Sequence, residues 1–172
     1  MSYVFTALGT ACILSASLIK GRNMKLILFL VFVANASVAT GYLLGDNGIN
    51  GAVSCYIGAA QTIINYFFEC KDKPIPKWLV AIYALAFISI NLYFGTNPGH
   101  TALVIIASLT FIMSIGQKSG AKYRFWTIVN MVLWCTYDVL SHSYSVLITH
   151  IPQLTFTVIG MLIHDIKKKE GK

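Results

Sequence analysis

The chain has 172 residues, 56% of them hydrophobic and only 11% charged, with thirteen basic against six acidic side chains and a net charge of +7. Such an apolar excess is more than one soluble core of this size can bury, so an ordinary soluble domain is excluded and the bilayer is the expected solvent. Nor does the positive balance point to nucleic acid, because the basic residues fall in four short clusters between apolar runs instead of along one face.

A spanning helix needs roughly 20 mostly apolar residues, and seven apolar runs follow one another. The first covers residues 3–19 and precedes Lys20, Arg22 and Lys25. Because those charges come after the apolar run, it is expected to persist as a membrane anchor and not to act as a signal peptide. The second run, 26–44, ends at Gly45-Asp46-Asn47-Gly48; the third, 49–68, ends in Lys71, Lys73 and Lys77 around Pro74-Ile75-Pro76. The fourth, 78–94, stops before Thr96-Asn97-Pro98-Gly99. The fifth, 101–115, is the weakest and spans only with Gly116 and Gln117 as its interfacial end; Lys118, Lys122 and Arg124 follow. Runs six (123–140) and seven (144–163) flank Ser141-His142-Ser143, and the chain closes on Lys167, Lys168, Lys169 and Lys172.

Lys and Arg in short loops are retained on the cytoplasmic side. Seven crossings place all thirteen basic residues on that one side, with the N-terminus outside and the C-terminus in the cytoplasm. An internal duplication fits the same alternation. A slide of 95 residues pairs Gly21 with Gly116, Asn35 with Asn130 and Tyr42 with Tyr137, and a slide of 96 sets the third run on the seventh. The expected fold is therefore an all-α membrane protein of seven transmembrane helices, built as two parallel three-helix repeats joined by a linker helix. On this plan residues 1–70 form the first repeat, 71–98 the linker helix, 99–166 the second repeat and 167–172 a basic cytoplasmic tail. Parallel repeats of this kind are a transporter plan.

Polar side chains at membrane depth turn inward or into a cavity. In the third run Ser54, Gly58, Gln61 and Asn65 share one helical face, and in the seventh His150, Gln153, Thr157 and His164 do the same. Asn35 and Tyr42 mirror Asn130 and Tyr137, with Trp134 and Asp138 beside the second stripe. Amides and aromatic rings together suit a neutral, hydroxyl- or amide-bearing solute. The candidate binding residues are thus Asn35, Asn130, Gln61, Trp134, Gln153, Thr157, His150, Tyr42 and Tyr137, although such side chains also tie membrane helices together. Asp138 and His150 can titrate, and Pro152 frees the carbonyl of Ile148, so these three are candidates for coupling or gating.

Cys12, Cys55, Cys70 and Cys135 stand singly, without CxxC or metal-ligand spacing, and read as packing residues. There is no phosphate-binding glycine loop, no HExxH and no nucleophile elbow, so neither catalysis nor a cofactor is expected. The expected partners are the lipid bilayer and a small solute, with self-association into a homo-oligomer left open.

The stretch 124–160 carries the clearest resemblance: Arg124 and Trp126 open the sixth run, Asn130-Met131-Val132-Leu133-Trp134 follows, and a short polar turn leads to a seventh run of matching length. In these features, and in pattern over nearly its whole length, the chain resembles the bacterial inner-membrane YgjV family, related to the SWEET and PQ-loop transporters. The resemblance implies a SWEET-like 3+1+3 bundle and, by analogy, small-solute transport. The Pro-Gln hinges of the PQ-loop relatives are replaced by Ala16-Ser17 and Phe111-Ile112, while the chain's own Pro152-Gln153 lies elsewhere, in the seventh run. KDEL receptors share the architecture, so a non-transporting receptor or accessory subunit is one alternative expectation, and a proton-coupled carrier using His150 and Asp138 is the other.

Overall fold

The computed structural model describes residues 2–19, 23–44, 49–95, 97–117 and 119–166. The turn at Gly45–Gly48, the cations Lys20, Arg22 and Lys118, and the expected basic tail at 167–172 lie outside the described residues. Among the described residues the chain is all helical. In order these are α1 (Ser2–Leu18), α2 (Met24–Leu43), α3 (Ile49–Cys70), α4 (Lys77–Phe94), α5 (Pro98–Ile115), α6 (Gly120–Leu140) and α7 (Tyr144–Met161), the last running into a π-helical turn, Leu162–Ile166.

Local chemistry sets several boundaries. The Asn23 side chain accepts from the Leu26 amide and opens α2, while Asn97 accepts from the amides of Gly99 and His100 and places Pro98 in the first turn of α5. An amide-capped start with proline just inside it is favoured because those first N–H groups have no helical partner. Hydropathy alone begins the fifth helix three residues late, and the structure corrects its rank too. Extended to Pro98, α5 is one of four stretches long and apolar enough to cross a membrane, with Met24–Leu43, Lys77–Phe94 and Val146–Asp165; Val4–Leu18 is a shorter fifth. α3 and α6 have the length, about 33 and 32 Å at 1.5 Å per residue. They are less apolar because Asn50, Gln61 and Asn65 on α3, and Arg124, Asn130 and Asp138 on α6, are buried in the bundle.

Six helices close into a ring in the order α1, α2, α3, α5, α6, α7, with α7 returning to α1; α4 stands outside and packs on α3 and α5. The ring is turned inside out relative to a soluble protein. Gln61, Asn65, Asn91, Asn130, Asp138 and Thr157 are almost wholly buried, while Trp78, Leu85, Leu92, Val132 and Ile148 are exposed. Apolar surface of this extent is stable only against lipid or another apolar partner. Length, composition and this inversion together define a multi-pass membrane protein.

Glycines let helices approach where side chains would collide. A Cβ on Gly160 of α7 would stand 2.9 Å from the Ser17 carbonyl oxygen on α1, and one on Gly51 of α3 would meet the Tyr42 ring at 2.8–3.0 Å. Asp72 and His142, at the breaks after α3 and α6, adopt left-handed φ values of 51° and 57°.

Candidate functional site

The ring encloses a narrow cavity of about 40 Å³ near its axis, contacted by residues of all seven helices. A water needs roughly 10–15 Å³ measured this way, so the cavity in this conformation takes a few waters. Its polar lining includes Asn35, Ser54, Ser108, Asn130, His150 and Gln153; Trp134 and Phe111 supply flat apolar surface. Apart from Asn35 and Phe111, which are half-buried, the lining residues are buried.

Asn35 and Asn130 both reach this cavity but spend their amides differently. Asn130 Nδ2 donates to the Ala107 carbonyl at 2.6 Å and to Thr110 Oγ1 at 3.1 Å, binding α6 to α5. Asn35 Nδ2 is buried without a partner, as is Ser108 Oγ. A buried donor left unpaired costs about 1–3 kcal/mol, which a polar occupant of the cavity would recover. Ser54 is already engaged, donating to Asn91 Oδ1 at 2.9 Å, while Asn91 Nδ2 donates back to the Phe87 carbonyl.

At the end of the bundle that carries the α6–α7 turn, Asp138 is completely buried. Tyr42 Oη donates to its Oδ1 at 2.7 Å, and His150 Nδ1 lies 2.6 Å from its Oδ2, a proton shared between them. The His150 ring packs on Trp134, with centroids 5.8 Å apart, and Trp134 meets the edge of Tyr137 at 5.6 Å. Beyond Tyr137 opens a second cavity of about 300 Å³, lined by Ile49, Asn50, His100, Tyr137, Leu140, Ser141 and His142. Trp134 thus faces the inner cavity and Tyr137 the outer one, and the aromatic pair is the wall between them.

Away from this cluster the ring is held by further polar contacts. Ser17 and Thr157 hydroxyls meet at 3.1 Å across α1 and α7, Thr10 and Thr149 at 2.9 Å higher on the same seam, and Arg124 grips Asp165 with two bonds of 2.8 and 2.9 Å.

The predicted residues therefore divide by position. Asn35, Asn130, Trp134, His150 and Gln153 line the inner cavity; Tyr137 lines the outer one; Tyr42 and Asp138 form the hydrogen-bonded cluster with His150. Gln61 and Thr157 stand outside both linings: Thr157 is spent on Ser17 and on the Gln153 carbonyl, and Gln61 is buried deeper in α3 with Oε1 unpartnered. Pro152 lies inside α7, which continues through it. Sequence reasoning missed Ser108, Thr127 and Thr149 in the lining, and Asn91 behind Ser54. Isolated hydroxyls in an apolar run carry no stripe, so only packing shows which way they turn. Asn91 is the exception that could have been found, an amide in the apolar fourth run.

Among the described residues no group of three or more His, Cys, Asp or Glu side chains is placed to hold a metal ion. Compared with known proteins, the chain matches no family model, no curated protein and no solved structure.

Proposed function

We propose that the chain is a transporter for a small neutral solute, of sugar, nucleoside or vitamin-like chemistry, that works by alternating access in a bacterial inner membrane. In this reading all seven helices cross the bilayer as a 3+1+3 bundle, N-terminus outside and C-terminus in the cytoplasm. The resemblance to the YgjV, SWEET and PQ-loop group supports it by analogy. So does the ring: exchanging α1, α2, α3 with α5, α6, α7 turns the α3–α5 contact into the α7–α1 contact, the relation expected of two parallel repeats.

The observation that carries the reading is the cavity on the axis, with polar side chains in its wall and Asn35 Nδ2 buried there without a partner. Helix-bridging amides find partners within the bundle, as Asn130 does; an unfilled donor beside a cavity suits a ligand that comes and goes. Pockets for small molecules run to about 300–1,000 Å³, so a ring-sized solute fits after the helices separate, which is what a gating cycle supplies.

The test begins with thermal unfolding of the purified protein against a panel of monosaccharides, nucleosides and vitamins, since a ligand of the folded state raises apparent stability. Uptake of the stabilising solute is then measured in proteoliposomes. Asn35→Leu should leave the protein folded and abolish uptake; uptake at the wild-type rate would reject the site. Asn35 is the cleaner target, because Asn130→Leu also breaks the α5–α6 bridge.

A further inference from the structure

Asp138 is the only fully buried acid among the described residues, and no Lys or Arg pairs with it. The titratable groups around it are Tyr42 on α2, Cys55 on α3, Cys135 and Tyr137 on α6, and His150 on α7. From α5, His100 touches only the Tyr137 ring. On α1 the neighbouring contacts are Thr10 with Thr149, and on α4 Asn91 with Ser54; neither helix brings a charge. His150 is thus the group able to balance this carboxylate.

We infer that Asp138 and His150 together hold one exchangeable proton, and that its binding and release drive the opening and closing of the cavity. This rests on the transporter reading and adds the coupling ion to it. With the proton aboard, the pair has no net charge and both carboxylate oxygens are hydrogen-bonded inside the bundle, by Tyr42 Oη and His150 Nδ1, so the helices close over it. Without the proton, one negative charge stays in a low-dielectric interior, at an effective cost of several kcal/mol unless water reaches it. The deprotonated pair therefore favours an opened, hydrated cavity.

Position supports this role. His150 Nδ1 is committed to the carboxylate, leaving Nε2 as the ring nitrogen that gains and loses the proton. The ring lines the inner cavity and Tyr137, adjacent to Asp138 in the chain, lines the outer one, so the pair stands where the two meet. One proton joins Nε2 from one side and leaves the same nitrogen to the other, with no other bond made or broken. On the 95- and 96-residue slides the equivalents of Asp138 and His150 are Leu43 and Ser54, so only one half of the ring carries the proton site.

Two readouts need no known solute. With Trp78 and Trp126 changed to Phe, Trp134 is the sole tryptophan, and an imidazolium against its face quenches emission. Emission should fall along a one-proton curve as pH drops, and the curve should vanish in His150→Gln. With Cys12, Cys70 and Cys135 changed to Ala, Cys55 in the cavity wall is the sole thiol, and its alkylation by N-ethylmaleimide reports opening. Relative to the same protein carrying His150→Gln, which sets the thiol's own pH dependence, labelling should fall by about tenfold per pH unit on acidification through the transition, the slope of one linked proton. A flat emission profile, a curve that survives His150→Gln, or labelling with the same pH dependence in both proteins would overturn the inference. Any of these alongside Asn35-dependent uptake leaves a transporter without proton coupling; an intact titration with Asn35-independent uptake would strike the solute site instead.

Discussion

The hydroxyl of Tyr42 shows how much one atom carries inside an inverted bundle. It supplies one of the two hydrogen bonds to a carboxylate with no access to water, and the ring that bears it lies flat on Gly51. Tyr42→Phe keeps the ring and removes the donor, so Asp138 Oδ1 is left unsatisfied at a cost of about 1–3 kcal/mol. The expected outcome is a lower unfolding temperature for the purified protein; an unchanged one would mean that water replaces the hydroxyl. The Asn35 and Asn130 pair shows what was legible at this scale. Their spacing marked both as inward-facing, and both reach the cavity. Their different roles were not legible, because they depend on neighbours: Thr110 turns in to accept from Asn130, whereas Ser15, its equivalent on the 95-residue slide, is exposed and bonds the Ala11 carbonyl of its own helix.

Between elements, the α1–α7 and α3–α5 seams of the ring are built differently. α1 and α7 meet extensively through Thr10–Thr149, Ser17–Thr157 and the close approach at Gly160, while α3 meets α5 more thinly, with the Phe111 ring against Gly58. Gly160→Val drives a branched side chain into the Ser17 backbone, and overpacking of this kind costs about 1–3 kcal/mol. Its effect should be local. A cysteine pair at Ser17 and Thr157 that crosslinks readily in the parent should do so at least several-fold more slowly with Gly160→Val, whereas equal rates would show that α7 absorbs the change by rotating. Helix existence was legible because each helix is a mostly apolar run bounded by a polar or turn-forming break. The starts of α5 and α6 were not, since the first turns, Pro98–His100 and Gly120–Lys122, are polar and held by capping and backbone bonds that hydropathy does not register.

For the molecule as a whole, the basic residues do more than set solubility. The described residues 71–76, 116–117 and 119 and the start of α2 share one end of the ring, opposite the outer cavity, and in the seven-crossing reading that end is cytoplasmic. A cysteine at Lys73 in a chain freed of its native thiols should react with a membrane-impermeant maleimide only after inside-out vesicles are prepared, and one at Ser141 only in intact spheroplasts. Labelling of both from one side would break the topology. A repeat in charge and length suggested two halves; the closed order of the ring was not legible, because apolar helix faces of similar composition do not encode which neighbour they meet.

In the proposed 3+1+3 reading, α4 takes its meaning from parity. A unit of three crossings ends on the side opposite its start, so a second unit in the same orientation requires one extra crossing, and that crossing need do little else. Accordingly only 22% of its apolar window is buried, and its buried residues Leu79, Tyr83, Phe87 and Asn91 fall at every fourth position along one edge. Saturation mutagenesis read out by abundance in the membrane should therefore give α4 a ladder of four intolerant rungs, with apolar substitution free between them, while α3 and α6 show intolerance around most of each turn. The free faces of α4 are where this chain can drift in sequence, or accept an engineered handle, without disturbing the ring.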